Sequence, residues 1–66
     1  MKIDDLTERE RDVLKYLVLG YSNVEIGEYL CISSHTVKVY VQSIINKLNA
    51  NGRTHATYIV TKAGVV

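Results

Sequence analysis

Apolar residues recur along this chain at helical spacing, in four runs separated by short polar or glycine-bearing breaks. Val13, Leu14, Leu17 and Val18 share one helix face. Just before them, Thr7 and Glu10 have the spacing of a capping box, in which each side chain satisfies an orphan backbone N–H at a helix start. Glu8 and Glu10 suit the positive end of a helix and Gly20 suits a left-handed stop, so a first helix is expected over residues 7–19. Ser22 and Glu25 repeat the capping-box spacing and open a second helix over 22–30, with Ile26 and Leu30 inward. The break that follows holds no glycine, but Ser33 is a strong N-cap and starts a third helix over 33–48.

On a wheel of 100° per residue, Val37, Val41, Ile44 and Leu48 of this third segment form a narrow core stripe. The opposite arc holds His35, Lys38, Val39, Gln42 and Asn46. It contains no acid, and a β-branched hydrophobe stands near its centre with no core to enter, which an ordinary solvated face seldom shows. After a loop around Gly52, Thr57 to Thr61 has the local preference of a strand. Ala56, Ile59, Val60 and Ala63 nevertheless fall at i, i+3, i+4 and i+7 with Gly64 behind them, and this favours a packed helix over 54–63. The expected fold is therefore all-α, with four helices in one domain spanning residues 1–66.

Charge sharpens the picture. All seven acids lie at or before Glu28, and residues 29–66 carry Lys38, Lys47, Arg53 and Lys62 with none to neutralise them. The net charge of +1 hides this dipole, which gives a polyanion one face to bind. A chain of 66 residues buries only about 60% of its unfolded surface, so dimerisation or ligand contact would add needed stability. The single Cys31 cannot form an internal disulfide, the apolar run from Val13 to Gly20 is too short to cross a bilayer, and the N-terminus lacks the pattern of a signal peptide. A cytoplasmic protein without membrane contact is the expectation.

Two helices joined by a tight turn place the second in a DNA major groove when three demands are met. The first helix needs a small residue where the helices approach, and Gly27 supplies it. The second needs an inward apolar residue ten positions later, Val37, with Ile26, Leu30 and Ile32 completing the shared core. Its outer face must be polar and free of acids, which His35, Lys38, Gln42 and Asn46 provide. An enzyme would have to use Cys31, His35 and His55, and these scattered residues fit no metal-ligand spacing; no cofactor and no small-molecule ligand are expected.

The segments Leu6 to Arg11, Gly20 to Ile26, Ile32-Ser33, Thr36 to Val39, Lys47-Leu48 and Arg53-Thr54 resemble, in order and spacing, the DNA-binding domain of LuxR/FixJ-type bacterial transcription regulators. The resemblance runs from Leu6 to Val65. It implies a four-helix domain whose third helix reads the major groove and whose fourth pairs with its copy in a homodimer on double-stranded DNA. Lys38, Val39 and Gln42 would then face bases, since lysine can donate to guanine, valine can pack on a thymine methyl and glutamine can bridge adenine. Phosphate contacts in such a domain would fall to Ser34, Thr36, Lys47 and Arg53. Tyr58 and Thr61, outward on the fourth helix, are candidates for the dimer contact. RNA polymerase is a further partner that the resemblance suggests.

Gly27 stands where that family usually has alanine, Tyr40 where histidine is frequent, and Val24 where lysine or arginine is frequent, which removes one phosphate contact. Such domains usually follow a receiver or ligand-binding domain, whereas this chain opens one short peptide before its first helix. A sigma-factor promoter-reading domain shares much of the pattern, but Arg53-Thr54 followed by Ala56 in an apolar helix suits the LuxR type better. A decoy that heterodimerises through the fourth helix without touching DNA would have no reason to keep acids off the third.

Overall fold

The computed structural model describes residues 5–64, so the peptide Met1 to Asp4 and the terminal Val65 and Val66, including the last residue of the resemblance, lie outside the described part. The described residues form four helices and no strand: α1 (Glu8–Val18), α2 (Asn23–Leu30), α3 (Ser34–Lys47) and α4 (Arg53–Ala63).

The starts of α1 and α2 are the expected capping boxes. Thr7 Oγ1 accepts from the Glu10 backbone N–H at 3.1 Å and Glu10 Oε1 accepts from that of Thr7 at 2.7 Å. Ser22 and Glu25 exchange the same pair of bonds at 3.1 and 2.8 Å. Ser33 caps α3 by accepting from the Thr36 N–H at 3.0 Å.

The first three helices end alike. A residue with positive φ, Gly20 (90°), Cys31 (59°) or Asn49 (55°), turns the chain back. The next N–H then reaches a carbonyl five residues earlier: Tyr21 to Tyr16, Ile32 to Gly27 and Ala50 to Ile45. This Schellman arrangement satisfies carbonyls that a helix end otherwise leaves open. Only the first uses glycine, so two side chains are held in the left-handed region.

α3 packs against each of the other three helices, and its stripe Val37, Val41, Ile44 and Leu48 is buried as expected. Val13, Leu14 and Leu17 of α1, Ile26 of α2, and Ala56 and Val60 of α4 close the core around it, with Leu6 beneath α1. Burying Ala56 and Val60 on one stripe favours helix over strand for the fourth segment, where local preference alone pointed the other way. α4 begins one residue earlier than expected, at Arg53, behind an extended Gly52 that gives no side-chain cap. Ala63, read as inward, is exposed, because α4 runs a turn past the last core residue, Val60.

Candidate nucleic-acid interface

α2 and α3 meet at Gly27. A Cβ there would stand 2.5 Å from the Ile32 carbonyl oxygen and 3.4 Å from the Ser34 nitrogen, so the α2–α3 turn lies closer to α2 here than an alanine would allow without a shift of the backbone. That tight turn fixes where α3 starts. Ser33 Oγ also lies 2.9 Å from Thr36 Oγ1, so the half-buried Thr36 hydroxyl is tied into the cap, whereas Ser34 is exposed. The first turn of α3 has no acid, unlike the first turns of α1 and α2. Its positive end is therefore open to an anion.

His35, Lys38, Val39, Gln42 and Asn46 are all exposed, and Val39 is exposed to 56%. The structure thus brings the three expected base-facing residues, Lys38, Val39 and Gln42, onto one outward face of α3. A lysine donor, an aliphatic branched surface and a carboxamide side by side can address guanine, thymine methyl and adenine edges in turn.

Two of the four expected phosphate ligands stand differently. Lys47 Nζ lies 2.7 Å from Glu10 Oε1 and 3.2 Å from the Asp5 carbonyl oxygen, with its side chain 26% exposed. Arg53 donates to Asn23 Oδ1 at 2.9 Å and to the Tyr21 carbonyl oxygen at 3.0 Å, joining the start of α4 to the α1–α2 turn. Both cations serve contacts within the chain. Tyr58 and Thr61 are exposed one turn apart on α4, with Tyr58 exposed to 60%.

Beyond the cap and the favourable charge that the sequence assigns to it at the start of α1, Glu10 is 4% exposed and is the one charged side chain buried among the described residues. Ser43 Oγ donates to Oε2, and Lys47 and the Thr7 N–H share Oε1. Burial by itself pushes this carboxyl upward, but the bonds from Lys47, Ser43 and Thr7, together with the lysine charge, outweigh it and hold the pKa at about 2. Also unforeseen is a cluster of Tyr16, Tyr21 and Tyr29, whose rings stack pairwise with centroids 5.2–5.7 Å apart. Tyr21 sits in a turn, so no periodicity joins it to the other two; the signal available was the Schellman ending at Gly20, which sets residues 16 and 21 side by side.

The family model for bacterial regulatory proteins of the luxR family matches residues 4–60. The chain belongs to that family. It is a LuxR-type helix-turn-helix domain of the kind used in DNA-binding transcription regulation. Among its relatives is the transcriptional regulatory protein DegU of Brevibacillus brevis, 49% identical over 61 residues that make up 92% of this chain and 26% of the relative. The nitrate/nitrite response regulator protein NarP of Escherichia coli is 48% identical over 54 residues, 82% of this chain and 25% of that protein. The HTH-type transcriptional activator RamA of Corynebacterium glutamicum is 39% identical over 61 residues, 92% of this chain and 22% of that protein. The chain thus spans about a quarter of the length of the relatives it matches. No helix among the described residues is long and apolar enough to cross a membrane.

Proposed function

We propose that residues 1–66 form one domain that binds a specific double-stranded DNA sequence in the cytoplasm with α3 in the major groove. Lys38, Val39 and Gln42 read base edges, Ser34 and Thr36 at the open N-terminus of α3 take phosphates, and two copies pair through Tyr58 and Thr61 of α4 on an inverted repeat. The observation that carries this reading is the outward face of α3, free of acids and centred on an exposed Val39. Exposure of a valine is not peculiar to α3, since Val24 of α2 is exposed as well; the weight lies in its setting, beside a lysine and a carboxamide with no acid among them, where a thymine methyl can pack on it. The family match includes most of α4, the segment that argues against a sigma-factor domain. Few cations face outward from each copy, so one domain binds weakly and two on adjacent half-sites bind usefully.

The test is selection of duplexes from a randomised pool by the purified 66-residue chain at low and moderate salt, followed by sequencing. Enrichment of an inverted repeat is the expected result. A pool that stays random at both salts would refute sequence reading and leave a protein partner as the function of the domain.

A further inference from the structure

The apolar stripe of α3 seats the helix in the core and sets its rotation coarsely, because the burial of apolar surface is itself non-directional. Direction comes from polar contacts off the stripe. Ser43 and Lys47 lie four residues apart on the flank of α3 that faces α1, and both donate to the one carboxylate of Glu10. That carboxylate is anchored in turn to the first turn of α1 through the Thr7 N–H at 2.7 Å. A side chain tip stands roughly 6 Å from a helix axis, so a rotation of about 20° carries it about 2 Å. Such a shift takes a donor out of hydrogen-bonding range of a base edge.

We infer that Glu10, acting through Ser43 and Lys47, sets the angle at which α3 presents Lys38, Val39 and Gln42, and that Lys47 is a positioning residue and not a phosphate ligand. This rests on the DNA reading above. Turning Lys47 to a phosphate would leave the buried Glu10 carboxylate without its counter-charge, held by Ser43 and the Thr7 N–H alone, and the ammonium already donates to Glu10 and to the Asp5 carbonyl.

The experiment compares the wild-type chain with Lys47→Gln, Glu10→Gln and Ser43→Ala. Each is titrated against the selected duplex and a scrambled one across a range of salt, at a temperature where circular dichroism shows the helices intact. Losing a phosphate contact would lower the salt slope by about 0.9. The expected result for Lys47→Gln is a slope within about 0.3 of wild type, with the preference for the selected duplex reduced about tenfold, the equivalent of one misplaced base contact. Glu10→Gln should lose preference similarly. Ser43→Ala, which keeps the ion pair and folds most readily, should lose less with no change of slope.

A slope lowered by about 0.9 in Lys47→Gln would overturn the inference while leaving the DNA reading intact. So would equal losses on both duplexes in Ser43→Ala, which, with the helices intact, mark a general weakening of binding and no change in base reading. A wild-type chain that does not prefer any duplex would overturn both.

Discussion

Converting the buried Glu10 to Gln should flatten the acid limb of this domain's stability curve. The carboxyl is held at about 2 in the folded chain, against an ordinary value of 4.5. A folded value below the unfolded one means that the unfolded chain binds the proton more readily. The stabilisation is therefore complete above about pH 5 and is lost as pH falls through 4.5 toward 2. At about 1.4 kcal/mol per unit, the full shift is worth roughly 3 kcal/mol, of which about 2 kcal/mol disappears between pH 6 and pH 3. That is a large share of the few kcal/mol a core of this size supplies. Urea unfolding followed by circular dichroism at pH 6 and pH 3 measures it in both chains. All other carboxyls are common to the two, so the gap between wild type and Glu10→Gln should narrow by about 2 kcal/mol on acidification. Parallel curves for the two proteins would refute the reasoning, as would a directly titrated Glu10 carboxyl near 4.5.

Other substitutions probe the turns, the rings and the reading face. Gly27→Ala gains about 1 kcal/mol of helix propensity but drives a methyl into the Ile32 carbonyl, a clash of about 1–3 kcal/mol, so a net loss of about 1 kcal/mol is expected in urea unfolding and a gain would refute the tight turn. Cys31→Gly relieves a left-handed side chain at an exposed site and should raise the unfolding free energy by about 1 kcal/mol; Asn49→Gly should gain less, because asparagine tolerates that region. Tyr29→Ala removes two ring contacts and should cost about 1–2 kcal/mol in thermal unfolding without changing DNA preference, a separation that fails if the two fall together. Gln42→Ala should relax preference at one base pair by about 1–3 kcal/mol in competition binding and leave the salt slope unchanged.

Local signals sufficed for α1 to α3, because caps and stripes act within four residues, whereas uncapped α4 needed its stripe weighed against a strand-like local preference. The two capping boxes show where such rules stop. Thr7 with Glu10 and Ser22 with Glu25 make the same pair of bonds at nearly the same distances. Yet Glu25 is exposed, whereas Glu10 is buried and joins α1 to residues 33 and 37 positions further on. Nothing within either box marks that difference; it follows from which helix start lies against α3. That Lys38, Val39 and Gln42 share an outward face was legible because a wheel shows which residues leave the core. The intrachain bonds of Lys47 and Arg53 were not, since a wheel cannot say whether a cation beside the core meets solvent or another helix.

The charge asymmetry held the missing clue to Lys47. On the wheel Lys47 lies beside the stripe of Val37, Val41, Ile44 and Leu48, at the edge of the buried face. A cation there loses part of its hydration and needs a carboxylate, and residues 29–66 offer none. Its partner had to come from the first 28 residues, on a helix packed against α3. Among the acids of α1, only Glu10 falls on the arc of Val13, Leu14 and Leu17. The same acid-free second half that leaves the outward face of α3 without a carboxylate thereby also leaves Lys47 to find its counter-charge on α1, so the α1–α3 ion pair follows from the charge pattern that marks that face.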